Sequence, residues 1–291
     1  MTRYGLLTWM WALCLVVIPY ADAMADSGAL PTRRLVSLAP NLTELVYALG
    51  LEEHLVGRSS ACDYPPESVA VPVVGGFGRP NREALWQTRP DVVIATDLEK
   101  PGVIQQLEQR GVQVLILPCE SWDELKEAAL SIASSLKQRE RARGWIEELD
   151  ERLDALRARV ASRWGDEGGP SVYVEVWGRP LTTAGGHSFL HEVITLAGGR
   201  NVTGDLRARY QSVSSEWVIR QDPQVILLAY MLADMQVTES IRSRIGWSAI
   251  DAIRHDRIID GISPDLLLRP GPRLIEGAER LAERLAEFTG Y

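Results

Sequence analysis

Lysine, phenylalanine and cysteine each occur only three times in this chain of 291 residues. The lysines are Lys100, Lys126 and Lys137, so arginine carries nearly all of the 31 basic positions. Acidic residues number 39 and the net charge is -8. No basic run breaks that background, which excludes a nucleic-acid partner. There is no G-x-S-x-G elbow, and neither Cys62 nor Cys119 has a nucleophile's setting. Gly75-Gly76-Phe77-Gly78 lacks the Lys-Ser/Thr ending of a phosphate loop, and Gly198-Gly199 is a single turn. Of the four histidines only His187 and His191 have a helical spacing. No His lies near the first-lobe strand ends to complete a ligand set, so no metal site is expected. Hydrophobic residues make up 46% and charged residues 24%, proportions that exclude a disordered or fibrous chain.

The first 25 residues read as a secretory signal peptide. Arg3 gives a positive start, Gly5 to Pro19 is apolar, and cleavage is expected after Ala23 or Ala25. The alternative is a membrane anchor, for which the run is short against a span of roughly 20 residues. Beyond it no stretch is apolar enough to cross a bilayer. The mature chain is therefore expected outside the cytoplasm, most simply in a periplasm. Cleavage leaves Cys62 and Cys119. Both follow apolar strand-like runs, and an oxidising compartment invites a disulfide between them. Two separate thiols are the alternative, since spacing alone does not bring them within bridging distance.

Short apolar β-branched runs occur at Leu35-Val36-Ser37-Leu38, Leu55-Val56-Gly57, Asp91 to Ala95 and Gln113 to Leu117. Helical patterns such as Thr43 to Leu49 and Val103 to Arg110 separate them. The alternation restarts at Ser171 to Val176 and continues through Gln224 to Ala229 and Arg257 to Asp260. An amphipathic helix is expected from about Pro272 to Phe288. Continuous apolar strands between helices predict an α/β fold with mostly parallel sheets covered by helices. Ile146, Leu149, Leu153, Leu156 and Val160 recur at steps of three and four, with no Gly or Pro between Gly144 and Gly165. They predict a helix of about 30 Å joining two lobes. The expected division is an N-terminal lobe over 33–121, a connecting helical segment over 122–165 and a C-terminal lobe over 170–291.

The lobes also echo each other. Asn81-Arg82-Glu83 precedes Pro90-Asp91-Val92, and Ser214-Ser215-Glu216 precedes Pro223-Gln224-Val225, with seven residues from Glu to Pro in both. Each is a cap, an acid in the first helical turn, a short helix and a buried strand. Glu44 precedes Gly50 by six, and Glu192 precedes Gly198 by six. A pseudo-twofold pair follows, with Glu83 and Glu216 as matched surface carboxylates.

Nine Trp and eight Tyr against three Phe favour flat side chains with a polar edge, suited to a wet cleft. Tyr64, Phe77, Trp177, Tyr210 and Tyr230 fall in loops after strands, where open α/β sheets bind ligands. Trp86, Trp145 and Trp164 lie in helical patterns and are expected to pack.

Arg34 to Leu45 (RLVSLAPNLTEL), Asp63-Tyr64-Pro65-Pro66, Asn81-Arg82-Glu83, Leu181-Thr182-Thr183-Ala184-Gly185, Val213-Ser214-Ser215-Glu216 and Arg269-Pro270-Gly271-Pro272-Arg273 together resemble the periplasmic binding proteins of ABC importers for cobalamin and iron-siderophores. The cobalamin branch is the nearer match. That resemblance implies two rigid lobes joined by a long helix, a ligand in the cleft and no catalysis. It implies that Phe77, Trp177 and Tyr210 grip a corrinoid, with Tyr64, Tyr230 and Arg269 also at the ligand. Two further family aromatics have Ala61 and Thr96 in their places here. It implies that Glu83 and Glu216 dock on the two permease subunits, that the chain is monomeric, and that it meets the membrane only through the transporter. No cofactor is expected, cobalamin being the ligand. Ferric siderophores, met by Arg79, Arg209 or Arg269, and haem, met by Tyr64, are the competing ligands. A secreted hydrolase and a ligand-free sensor module are the competing classes.

Overall fold

The structure, a computed structural model, describes residues 32–165, 168–231 and 236–288. The expected signal peptide over residues 1–25 lies outside them. The first lobe contains β1 (Leu35–Ser37), β2 (Leu55–Arg58), β3 (Gly75–Gly76), β4 (Arg79–Pro80), β5 (Val92–Ala95) and β6 (Gln113–Ile116). The second contains β7 (Ser171–Glu175), β8 (Trp177–Gly178), β9 (Leu181–Ala184), β10 (Arg200–Asn201), β11 (Tyr210–Ser212), β12 (Val225–Leu228) and β13 (Ile258–Ile259). Two four-stranded sheets result, ordered β2-β1-β5-β6 and β10-β7-β12-β13. Every pair in both is parallel. The second strand flanks the first on one side and the third and fourth lie on the other, in each lobe alike. This is the pseudo-twofold relation expected from the sequence. A β3-β4 hairpin and an antiparallel β11-β9-β8 sheet complete the strands.

The central strands β1, β5, β7 and β12 are buried on both faces, which is why they read as unbroken apolar runs. Successive side chains alternate between faces. Leu35, Val92 and Ile94 join one cluster while Val36, Val93 and Ala95 join another. In the second lobe Val172, Val174, Val225 and Leu227 belong to that same first cluster, whereas Tyr173, Ile226 and Leu228 pack in a third. The inner layers of the two lobes thus share one core. From Arg33 onward the chain forms a single compact unit.

The linking segment contains the long helix expected from Ile146 to Val160, preceded by a shorter one. It is two helices, Trp122–Ser135 and Arg139–Trp164, the second of 26 residues. Ser121 caps the first through its hydroxyl, which accepts from the Glu124 N–H at 3.1 Å. Lys137, at φ 61°, turns the chain between them. The longer helix runs through Gly144, where a Cβ would meet open space. One exposed glycine costs a helix only about 1 kcal/mol against alanine, too little to stop it. Leu149, Leu153 and Leu156 enter the shared core, and Trp145 and Trp164 pack against it as anticipated.

Gly50 and Gly198 fill matching places, each one residue past the cap of the helix after its lobe's first strand. Those helices are Pro40–Ala48 and Phe189–Leu196. Both glycines have positive φ, 63° and 88°, the left-handed turn that ends a helix at lowest cost. The last helix, Leu274–Glu287, buries Leu274, Ile275, Ala278, Leu281 and Leu285. No described helix is long and apolar enough to cross a membrane.

Two possibilities raised by the sequence are not realised. Cys62 and Cys119 are not bonded: both are buried free thiols. Cys62 Sγ lies 3.2 Å from the Ser59 hydroxyl, and Cys119 Sγ donates to the Leu117 carbonyl at 3.6 Å. Each sulfur is satisfied beside its own strand end. His187 and His191 do not share a helical face, because the helix begins only at Phe189 with Ser188 as its cap.

Candidate functional site

The carboxyl edge of the first sheet faces the second lobe, and ion pairs mark the meeting line. Asp63 follows β2, and its carboxylate accepts from Arg269 at 2.6 Å. Arg269 also reaches Glu44 at 3.4 Å and Asp265 at 2.9 Å. Arg273 clasps Glu44 with two bonds of 2.8 and 2.7 Å. The Asn41 amide donates to the Pro270 carbonyl at 2.9 Å. At the other margin Asp97, after β5, takes Arg209 at 2.8 Å, and Glu120, after β6, lies 3.3 Å from the same guanidinium. The hydrogen bond from Arg269 holds the Asp63 carboxyl below the usual carboxylate range.

Among the described residues four large aromatics stay exposed in the loops and hairpins beyond the strands: Tyr64, at 41%, on the Glu44 margin, and three others. Phe77 stands at the turn of the β3-β4 hairpin and is 41% exposed; Trp177, in β8, is 55% exposed; Tyr210, opening β11, is 41% exposed. The Phe77 turn is tight, with Gly78 at φ 65°. The Gly78 N–H donates to a Glu99 carboxyl oxygen at 3.1 Å, which ties the turn to the loop after β5. The Trp177 indole N–H donates to the Arg179 carbonyl at 2.8 Å. Tyr210 pairs with Ala184 across β11 and β9. Burial, and next the nearby Glu120 carboxylate, push its hydroxyl pKa upward. Phe77 therefore belongs to the first-lobe edge, and Trp177 and Tyr210 to the second.

The remaining candidates take other places. Tyr64 carries the Arg273 guanidinium 3.7 Å from its ring centre, a cation–π contact within the Glu44–Arg269 margin. Arg269 is engaged there by three carboxylates. The Tyr230 hydroxyl donates to Glu175, a fully buried acid that also receives Arg244 at 2.7 and 2.8 Å. A Cβ on Gly178 would stand 2.9 Å from the Tyr230 hydroxyl, so Tyr230 underlies the Trp177 strand. Arg79 is exposed on β4 without an ion pair among the described residues. No group of three or more potential metal ligands occurs among the described residues.

Glu83 and Glu216 are each the second residue of a short helix, Arg82–Gln87 and Ser215–Gln221, and each leads to the third strand of its sheet. Both are exposed. Asn81 and Ser214 cap the helices, accepting the Ala84 and Trp217 N–H groups at 3.1 Å each. The Glu216 carboxyl is held below its ordinary range by its own backbone N–H and then by the Ser214 hydroxyl.

One signal went unread in the sequence. Phe77-Gly78-Arg79-Pro80 and Trp177-Gly178-Arg179-Pro180 are the same tetrad with the aromatic exchanged, and each opens or turns a hairpin beside the loop that follows a central strand. The Glu175–Arg244 pair was also missed, because 69 residues separate its partners.

Comparison with known proteins places this architecture. The family model described as "Periplasmic binding protein" matches residues 35–263. The ABC transporter substrate-binding lipoprotein YvrC of Bacillus subtilis is 30% identical over 262 residues, covering 88% of this chain and 81% of that one. The crystal structure of the periplasmic vitamin B12 binding protein of Vibrio cholerae superposes with a TM-score of 0.75 at 26% identity, over 90% of this chain and 99% of that one. A periplasmic haem-binding protein from Pseudomonas aeruginosa gives 0.76 at 26% identity, over 87% and 92%. With its paired parallel sheets, connecting helix and uncovered aromatics between the lobes, the chain belongs to the periplasmic binding protein family, as a substrate-binding protein of an ABC transporter.

Proposed function

We propose that this protein binds one corrinoid, cobalamin, between its lobes without turning it over, and delivers it to the permease dimer of an ABC importer. The observation that carries this reading is the exposure of aromatics on both edges, Phe77 and Tyr64 on one and Trp177 and Tyr210 on the other. A corrin ring offers a broad apolar face, and flat side chains cover such a face with little loss of rotamer freedom. Isothermal titration with cyanocobalamin tests it: one site per chain supports it. Tight binding of haem or a ferric siderophore with no cyanocobalamin heat rejects the ligand and keeps the class.

Haem is the second reading, and a haem-binding structure among the relatives favours it. It would call on Tyr64 as an axial ligand; that side chain is 41% exposed, with the Arg273 guanidinium 3.7 Å from its ring centre. Ferric siderophores would call on arginines; Arg209 and Arg269 are already committed to carboxylates, which leaves Arg79 for that reading.

Glu83 and Glu216 are the proposed contacts with the transporter. A pseudo-twofold carrier meeting a twofold partner must present matched charges. We further place the mature protein in the periplasm as a monomer, after signal cleavage at Ala23 or Ala25, touching the membrane only through its transporter.

A further inference from the structure

Among the described residues, buried side-chain oxygens without a hydrogen-bond partner gather at one edge: Thr96 Oγ1, Glu99 Oε2 and Glu120 Oε2. Thr96 directly follows β5, Glu99 closes the same turn by donating its N–H to the Thr96 carbonyl at 3.3 Å, and Glu120 follows the adjacent strand β6. Thr96 and Glu99 are each only 6% exposed. Buried polar groups are nearly always paired, and each exception asks for a cause. This edge is also where the lobes meet. Asp97, between Thr96 and Glu99, holds Arg209 of the second lobe, and Glu120 lies beside the same arginine. Glu99 spends its other oxygen on the Gly78 N–H, immediately after Phe77. The unpartnered atoms therefore border the Phe77 turn and the Tyr210 strand; burial pushes both carboxyls upward, and when ionised they offer acceptors where a ligand carboxylate would meet repulsion.

We propose that Thr96, Glu99 and Glu120 form an acceptor subsite for N–H donors on the ligand, the chemistry of a primary amide. This rests on the corrinoid reading above, since cobalamin carries primary amides around its rim. The aromatics would then hold the ring, and this edge would distinguish an amide rim from a carboxylate-bearing one.

Calorimetry on the mature protein tests the subsite with cyanocobalamin and with derivatives in which one rim amide is hydrolysed to a carboxylate. Wild type should bind at least one such acid about tenfold more weakly than the amide, the scale of losing one good hydrogen bond. Glu99→Gln keeps an oxygen for Gly78 and turns the free atom into a donor, so it should shrink that gap to about twofold or less. Thr96→Val, which breaks no bond within the protein, should weaken cyanocobalamin by about threefold to tenfold; it serves the test even if the Glu99 variant fails to fold. If Thr96→Val binds cyanocobalamin as wild type does and the amide-to-acid gap is absent or unmoved, the subsite is wrong and the corrinoid reading stands. If wild type binds no corrinoid, both fall together.

Discussion

Arg209 of the second lobe donates to Asp97 of the first at 2.8 Å, one residue before the uncovered ring of Tyr210. A larger ion cluster closes the opposite margin, where Glu44 takes both Arg269 and Arg273. With the shared inner core behind them, these contacts set the spacing of the aromatic edges from two sides.

The two margins should differ in strength. The Glu44 side chain is 2% exposed, and those of its arginines about a fifth. Glu44→Ala strands Arg273, while Arg269 keeps Asp63 and Asp265, and should cost about 3–5 kcal/mol in chemical denaturation. Arg209 and Asp97 are each 41% exposed, so Arg209→Ala should cost less than about 1 kcal/mol. Equal losses would show that burial does not rank the two.

Aromatic truncations should separate binding from stability. Trp177→Ala and Tyr210→Ala should each weaken cyanocobalamin by roughly 1–3 kcal/mol, the scale of uncovering one large side chain. Trp164 packs under the core, against Gly198. Trp164→Ala should cost about 3 kcal/mol of stability and leave affinity unchanged. Equal affinity losses in all three would move the site elsewhere.

Acid should loosen the Asp63 margin in a defined window. Arg269 holds the Asp63 carboxyl below its ordinary value. A depressed carboxyl stabilises the fold wherever it is ionised. Its contribution is complete above about pH 4 and is lost as pH falls through the lowered folded value. The melting temperature of wild type should therefore exceed that of Asp63→Asn above about pH 4, and the two should converge in stronger acid. A constant difference across that range would contradict the pairing.

Docking and ligand binding should be separable. Glu83→Ala with Glu216→Ala should leave cyanocobalamin binding intact and abolish delivery in a reconstituted transport assay. Complementing the helix dipole alone would leave transport unaffected. Intact uptake, or lost ligand affinity, would return both residues to that structural role.

The sheets and their symmetry were legible because buried parallel strands advertise themselves. Val92 to Ala95 and Val225 to Leu228 are unbroken apolar runs, and the Glu83–Pro90 and Glu216–Pro223 spacings lead into both. The break at Lys137 was not legible, since a left-handed lysine leaves no Gly or Pro signature. The ion pairs of Arg269 were not legible for a different reason. A lone arginine suggests an anion, and its carboxylate partner Glu44 lies 225 residues away. Pairings at that distance are products of topology, as is the edge that collects Thr96, Glu99 and Glu120.

Native mass spectrometry of the mature protein with equimolar cyanocobalamin, haem and a ferric siderophore tests the corrinoid assignment most directly. One cyanocobalamin per chain, retained in competition with the other two, is the expected result. A chain that takes up haem or siderophore and ignores cyanocobalamin would contradict it.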